Sequence, residues 1–248
     1  MTGSTIMYLM LGACAGGFIN GLSGTGTALF ALGFYLMVLD PVQAVAIVAF
    51  MSVLVGLQGV WIVRRQIAAQ PARLARFVIP GLAGVPLGLA LLDRIEAGSL
   101  RLVVAAFLII YGCYFGFRAA LPAFSRPTPW IDALIGFAGG IFGGAAAVSG
   151  AIPQMWLSIR PWTKSETRAV LQPFNSVILT TTICLLFLQG AYDQTALNAL
   201  LVTIPTGLIA AQIGIAVFRR LTDTGFRRVL IILTLLMGVG IVLTELLG

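Results

Sequence analysis

The chain has 248 residues, of which 59% are hydrophobic and only 9% charged, and its formal net charge is +7. So few charged residues cannot cover a soluble globular domain, in which about a quarter of the residues are charged. The sequence contains no histidine, the residue that most often binds metals and shuttles protons. We therefore predict an all-α polytopic membrane protein with no metal and no cofactor. The positive charge is typical of loops at a membrane surface, and it does not indicate nucleic-acid binding.

Eight apolar segments follow one another along the chain. Six of them are 19–23 residues long, which is the length of a single membrane-spanning helix. The first and the fifth segments are longer, and glycines interrupt both of them. In chain order the segments are 5–39, 42–63, 74–92, 102–121, 131–159, 169–188, 196–218 and 229–247.

The first segment contains the stretch GFINGLSGTGT at residues 17–27. A straight helix over all of residues 5–39 would be about 52 Å long, at about 1.5 Å per residue. That length exceeds a hydrocarbon core of about 30 Å. Because glycine permits sharp changes of backbone direction, we predict that the helix breaks here and that the chain turns back as a hairpin. Residues 131–159 are expected to do the same.

The two halves of the chain repeat the same landmarks in the same order. We therefore predict a first repeat at 1–121, a linker at 122–130 and a second repeat at 131–248. Each repeat consists of one broken segment followed by three spans. The recurring landmarks include Gly16-Gly17 and Gly21 with Gly139-Gly140 and Gly144, and Ile79-Pro80 with Ile204-Pro205.

The distribution of lysine and arginine distinguishes two topologies. If all eight segments cross the membrane, these residues split nine to six between the two faces. If the broken segments turn back without crossing, thirteen lie on one face, and only Arg94 and Arg101 lie on the other. The second topology obeys the positive-inside rule. It gives each half three crossings, so it predicts two inverted repeats with both termini outside a bacterial cytoplasmic membrane.

The helix breaks are the candidate substrate-binding site. A helix that begins inside the membrane points N–H groups and a positive dipole end inward, which favours an anion. Nearby hydroxyls and amides add neutral hydrogen-bond donors, although small residues also suit tight helix packing without a ligand. The candidate binding residues are Asn20, Ser23, Gly24, Thr25, Gly26, Thr27, Ser149, Gly150, Gln172, Asn175 and Ser176.

One alternative is an intramembrane serine hydrolase, because residues 21–24 read GLSG. A serine nucleophile needs a base, and the chain has no histidine. Its only lysine, Lys164, lies in a hydrophilic loop. We therefore predict no catalytic residue. Arg160, Lys164 and Arg168 form a basic cluster, which we predict to be a solvated loop, although such a cluster also attracts anions.

The sequence resembles the TauE/SafE family of sulfite exporters, also called the four-toluene sulfonate uptake permease family. The resemblance covers nearly the whole chain. It rests on GGFINGLSGTG and GGIFGGAAAVSGAIP at the openings of the two halves, and on IPGLAGVPLGLALLDRIEAGSLR and its partner IPTGLIAAQIGIAVFRRLTDTGFRR. It implies a transporter for sulfite, sulfoacetate or another organosulfonate, with the substrate between two homologous halves. An anion channel of the same architecture is the alternative.

Overall fold

The computed structural model describes residues 2–23, 25–116 and 128–220, together with residues 124, 126, 232, 239 and 242. The regular elements in that part of the chain are helices. The segment predicted at 229–247 lies outside the described residues, apart from three positions. In chain order the helices are α1 (Gly3–Ser23), α2 (Thr27–Tyr35), α3 (Pro41–Ile62), α4 (Arg64–Ala69), α5 (Pro71–Leu92), α6 (Ala97–Gly116), α7 (Pro129–Ala146), α8 (Ala151–Leu157), α9 (Lys164–Leu188) and α10 (Gln194–Arg220).

Six helices in the described part are long and apolar enough to cross a membrane. Large apolar side chains on their outer surfaces are exposed, such as Leu201 at 75% and Leu188 at 81%, as expected for a surface that contacts lipid. The prediction of an all-helical, multi-pass membrane protein is confirmed. The six are Gly3–Leu22, Pro71–Leu92, Ala97–Tyr114, Pro129–Ala146, Glu166–Leu188 and Gln194–Val217.

The first broken segment consists of α1 and α2. The helix stops at Ser23, and α2 starts after Gly26, whose φ of +98° is the left-handed conformation that favours glycine. A Cβ atom added to Gly12 would lie 2.5 Å from Cε1 of Tyr35, and one added to Gly16 would lie 2.8 Å from the carbonyl oxygen of Thr27. The short helix α2 therefore runs back antiparallel along α1.

The second broken segment consists of α7 and α8. The helix α7 ends at Ala146, and the next residue, Ala147, has a φ of +55°. The N–H of Ala147 donates to the carbonyl of Gly143 at 3.1 Å, and the N–H of Val148 donates to that of Phe142 at 3.1 Å. The bond from Ala147 to Gly143 is that of the αL motif, which ends a helix in a left-handed turn. The chain then starts the short helix α8 at Ala151.

Glycines bring two pairs of helices into backbone contact. The helix α1 packs on α10, where a Cβ atom on Gly17 would lie 2.3 Å from the carbonyl oxygen of Gly207. The helix α7 packs on α5, where a Cβ atom on Gly140 would lie 1.9 Å from the carbonyl oxygen of Gly81. Neither position has room for a side chain, which is how small residues allow membrane helices to approach closely.

The next contact in each pair lies one turn further along both helices. A Cβ atom on Gly21 would lie 2.0 Å from the carbonyl oxygen of Ala211, and one on Gly144 would lie 2.4 Å from that of Val85. Residue numbers rise in both members of each pair, so α1 is parallel to α10 and α7 is parallel to α5.

Two polar contacts mark the opposite ends of the bundle. Gln43, near the start of α3, donates its amide to the carboxylate of Asp193, just before α10, at 3.0 Å. Arg73, near the start of α5, pairs with Glu166, in the first turn of α9, at 3.2 Å. We call these the Gln43 end and the Arg73 end. Since α1 is parallel to α10 and α7 to α5, α1 begins at the Gln43 end and α7 begins at the Arg73 end.

Candidate functional site

A cavity of about 30 Å³ lies between the two helix breaks. This volume holds about two water molecules. Both broken segments contribute to its wall, and α3 and α9 complete it. The lining residues are Ile19, Thr25, Gly26, Thr27, Ala28, Leu29, Phe30, Ser52, Ala147, Val148, Gly150, Ala151, Gln154 and Asn175.

The first break presents the N-terminus of α2 to the cavity. Thr27, Ala28 and Leu29, the first residues of the helix, all line the wall. Gly26 precedes them and supplies no side-chain cap. The first N–H groups of a helix have no intrahelical acceptor. They therefore form a partly positive surface at this point of the cavity.

Asn20 holds the turn of the first break in shape. Its side-chain amide donates to the hydroxyl oxygen of Thr27 at 2.6 Å, and the residue is only 3% exposed. This bond ties the last turns of α1 to the first residue of α2. Asn20 is not among the lining residues, so it lies behind the wall and positions Thr27.

The second break is tied to α9 in a similar way. The hydroxyl of Ser149 donates to the side-chain carbonyl oxygen of Asn175, and both residues are buried. Because this bond uses the acceptor of the Asn175 amide, it orients the residue. Asn175 lines the cavity, where its amide nitrogen is a neutral donor.

One hydrogen bond joins the two breaks directly. The hydroxyl of Thr25, in the first break, donates to the side-chain oxygen of Gln154, on α8, at 2.9 Å. Both residues line the cavity. The two halves therefore meet through polar side chains at this site.

Within the described part of the chain, the residues that line the cavity carry neutral side chains only. Their polar groups are hydroxyls, amides and backbone groups. Neutral donors bind an anion without supplying a positive charge. The attraction is therefore weaker than that of an ion pair between the anion and an arginine or lysine side chain. Such a wall suits reversible binding of a compact anion with several acceptor oxygens.

The sequence-based candidates fall into three groups. Thr25, Gly26, Thr27, Gly150 and Asn175 line the cavity, and Asn20 and Ser149 bond to lining residues from behind. Gln172 and Ser176 do not line it. Gly24 and the side chain of Ser23 lie outside the described part of the chain.

Gln172 and Ser176 make contacts away from the cavity wall. The side-chain oxygen of Gln172 accepts a hydrogen bond from Nε of Arg168 at 2.9 Å. Ser176 faces α3, since a Cβ atom added to Gly56 would lie 4.0 Å from its hydroxyl oxygen. Of the three polar candidates on α9, only Asn175 lines the cavity.

Two further polar residues line the cavity, namely Ser52, which was not a sequence-based candidate, and Gln154, which was only a weaker one. Gln154 follows Pro153 in the short helix α8, and its side chain crosses to the first break. In the repeat predicted from the sequence, Ser52 is the counterpart of Ser176. The repeat pairing was the signal that pointed to Ser52, but it did not show which of the two serines faces the cavity.

Arg160, the first residue of the basic cluster, is buried rather than solvated. Arg160 is 8% exposed and pairs with Asp132 at 3.1 Å. Its guanidinium also donates to the carbonyl of Arg126 at 2.6 Å and to the hydroxyl of Thr128. These contacts bring the chain after α8 back to the start of α7. The side chain of Lys164 lies outside the described part.

Comparison with known protein families decides the class of protein. The model of the family described as sulfite exporter TauE/SafE matches residues 8–241. The chain belongs to the TauE/SafE family. This confirms the resemblance carried by the glycine-rich openings of the two halves. Comparisons with curated proteins and with solved structures give no match.

TauE/SafE proteins form a family of membrane transporters of the sulfite-exporter type and not a family of enzymes. The prediction that the chain is not an enzyme is therefore confirmed, and the GLSG stretch is not a hydrolase motif. The cavity between the two breaks is the candidate transport site of this TauE/SafE protein.

Proposed function

We propose that this TauE/SafE protein transports a small sulfur-containing anion, such as sulfite, sulfoacetate or another organosulfonate. The anion binds in the cavity between the two helix breaks. The observation that carries the proposal is the composition of this wall, in which the described residues of both breaks present neutral donors and no charged side chain. A sulfonate group offers three oxygens, which accept hydrogen bonds from several directions.

The proposed contacts come from both halves. In the first half, Thr25 and the N–H groups at the start of α2 face the anion, and Asn20 positions them. In the second half, the amide of Asn175 faces it, held by Ser149. Gly26 and Gly150 let the backbone approach the anion, as we propose for Gly24, and Ser23 is a further proposed donor. For Gln172 and Ser176, we propose a role in packing of α9.

Matching contacts support an internal repeat. Gly17 contacts Gly207, and Gly140 contacts Gly81 in the same way. In the sequence repeat, Gly17 corresponds to Gly140, and Gly207 corresponds to Gly81. The pair α1 and α10 thus corresponds to the pair α7 and α5. Each pair joins a broken segment of one half to a span of the other, as expected for two halves that interlock around a shared site.

The ends of the helices support an inverted arrangement with hairpins. The broken segment of the first half begins at the Gln43 end, and α3, which follows it, begins there as well, beside Asp193. The broken segment of the second half begins at the Arg73 end, and α9, which follows it, begins there beside Arg73. We propose that each broken segment enters and leaves on one face, and that the two halves are inverted.

The charges then orient the protein in the membrane. Arg64, Arg65 and Arg73 lie at the Arg73 end, whereas Arg101 lies at the Gln43 end, where it donates to the carbonyl of Leu36 at 3.5 Å. By the positive-inside rule, the Arg73 end faces the cytoplasm of a bacterial cell. The N-terminus, at the start of α1, then lies outside, and we propose the same for the C-terminus.

One hydrogen bond across the cavity favours a carrier over a channel. The hydroxyl of Thr25, in the first break, donates to the side-chain oxygen of Gln154, on α8, at 2.9 Å. Because this bond joins the two halves at the site, we propose that it opens when the anion enters or leaves. Such a step is expected of a carrier that alternates between states rather than of a permanently open anion channel.

Binding and flux measurements test the proposal. The purified protein is titrated with sulfite, thiosulfate, sulfoacetate and taurine, and its thermal stability is followed. Binding to the native state raises the melting temperature by mass action. Proteoliposomes loaded with the stabilising anion are then expected to show saturable uptake and counterflow. Stabilisation by cations or neutral solutes alone would overturn the proposal, and unitary currents would replace the carrier with a channel.

A further inference from the structure

The hydroxyl of Ser52 is buried at the cavity without a hydrogen-bond partner among the described residues. Ser52 lies on α3, is 3% exposed, and lines the cavity between the two breaks. Its Oγ atom has no donor or acceptor within hydrogen-bonding distance in the described part of the chain. Burying a hydroxyl without a partner costs free energy, so a residue of this kind at a cavity wall requires an explanation.

Two threonine hydroxyls within helices of this protein are satisfied by their own helices. The hydroxyl of Thr182 donates to the carbonyl of Ile178 at 3.0 Å, and that of Thr206 donates to the carbonyl of Val202 at 2.7 Å. Serine and threonine commonly bond to the carbonyl four residues earlier in this way. Ser52, also in the interior of a helix, does not. Its hydroxyl is therefore left available towards the cavity.

The repeat gives Ser52 a natural counterpart. Ser176 occupies the equivalent position in the second half of the sequence. Ser176 does not line the cavity but faces Gly56 of α3. The second half instead presents Asn175 to the cavity. The two halves thus place different residues at the cavity, a serine on α3 and an asparagine on α9.

We propose that Ser52 is a substrate-binding residue, whose hydroxyl donates a hydrogen bond to an oxygen of the transported anion. Its contact comes from the first half, while the amide of Asn175 binds from the second half. The ligand class that fits is an anion with at least two acceptor oxygens, because α3 and α9 each contribute a neutral donor to the same cavity. This inference rests on the proposed function of the cavity.

The test compares Ser52→Ala with Ser176→Ala in the full-length purified protein. The two substitutions make the same chemical change at equivalent positions of the two halves, so the second is a matched control. Dissociation constants are measured for sulfite, thiosulfate, sulfoacetate and taurine. Loss of a hydrogen bond to a charged group is expected to weaken binding by about tenfold to a hundredfold in Ser52→Ala. Ser176→Ala is expected to bind within about twofold of the unchanged protein.

Thermal stability without any anion separates a binding role from a structural one. Removing a hydroxyl that has no partner leaves the fold as stable as before or more stable, so the melting temperature of Ser52→Ala is expected to be unchanged or higher. A lower melting temperature in the absence of anion would show that the hydroxyl serves the fold, and it would overturn the proposal.

Two further results overturn the inference in distinguishable ways. If the unchanged protein binds one of the four anions and Ser52→Ala binds it equally well, Ser52 is not a binding residue and the proposed function stands. If the unchanged protein binds none of the four anions, the proposed function fails first, and this inference fails with it.

Discussion

The guanidinium of Arg160 lies 3.1 Å from the carboxylate of Asp132, and both side chains are only 4% exposed. The indole N–H of Trp156 donates to the same carboxylate at 2.8 Å. The guanidinium also lies 4.6 Å from the centre of the Trp156 ring, close enough for a cation–π contact. Because Asp132 lies in the first turn of α7 and Arg160 follows α8, this ion pair closes the second broken segment by joining its end to its start.

Loss of Arg160 is expected to destabilise the protein. In Arg160→Ala the buried carboxylate of Asp132 loses its cationic partner, which typically costs about 3–5 kcal/mol. The melting temperature in detergent reports the change. Arg73→Ala is the matched control, because its ion pair with Glu166 is 26% and 34% exposed, and such pairs contribute about 0–1 kcal/mol. Equal losses in the two variants would contradict a closing role for the buried pair.

Alanine at Gly140 is expected to prevent tight packing of α7 on α5. Its Cβ atom would lie 1.9 Å from the carbonyl oxygen of Gly81, and because that atom belongs to the backbone, the two helices must move apart. We expect a loss of at least about 2 kcal/mol, or no folded protein, measured by thermal unfolding and by the yield of monodisperse protein.

Gly56→Ala is the control for this prediction. A Cβ atom at Gly56, in the interior of α3, would have as its nearest neighbour the hydroxyl oxygen of Ser176 at 4.0 Å, which is an ordinary contact. Alanine also favours the helix over glycine by about 1 kcal/mol. The melting temperature of Gly56→Ala is therefore expected to be unchanged or higher. If the melting temperature of Gly56→Ala falls as far as that of Gly140→Ala, separation of α7 from α5 does not explain the lower stability of Gly140→Ala.

Much of the helical architecture could be predicted from the sequence because lipid imposes simple rules. A membrane-spanning helix needs a long apolar run, so the spans show directly in composition. The breaks also show directly, because glycines placed together within an apolar run oppose a continuous helix. Gly17 and Gly140 recur at matching places in the two halves, and each makes the same kind of close helix contact, Gly17 with Gly207 and Gly140 with Gly81. The recurrence of these glycines in the sequence therefore indicated where helices pack closely.

The detailed wall of the cavity could not be predicted in the same way. Ser52 and Ser176 are equivalent in the repeat, yet only Ser52 lines the cavity. Which face of a helix meets the cavity depends on how α3 and α9 rotate against their neighbours, and an almost uniformly apolar helix gives no periodic signal for that rotation. Gln154 was similarly hard to place, because its role depends on a contact with Thr25 in the other half.

Cysteine labelling tests the orientation of the bundle. In a protein with Cys14, Cys113 and Cys184 replaced by alanine, Ser99→Cys places a thiol at the Gln43 end and Ala68→Cys places one at the Arg73 end, both at exposed positions. A membrane-impermeant maleimide is expected to label Ser99→Cys in intact cells. It is expected to label Ala68→Cys only after the membrane is permeabilised. The reverse pattern would invert the proposed orientation, and labelling of both in intact cells would contradict the proposed topology.

A negative charge at Asn175 is expected to abolish binding of the anion. Asn175→Asp keeps the oxygen that accepts the bond from Ser149, but it replaces the donor amide by a carboxylate at the cavity wall. Two like charges about 4 Å apart repel by about 4 kcal/mol at an effective dielectric constant of about 20. The dissociation constant of the best-bound sulfur anion is therefore expected to rise by at least about a hundredfold.

Two comparisons make this prediction specific to charge at the cavity. Asn198→Asp makes the same change outside the cavity, where Asn198 bonds to Gln194, and it is expected to leave binding unchanged. Asn175→Leu removes the donor without adding charge, so its affinity is expected to fall between those of the unchanged protein and Asn175→Asp. If Asn175→Leu and Asn175→Asp weaken binding equally, the loss reflects altered packing of α9 rather than repulsion, and the anion does not bind beside Asn175.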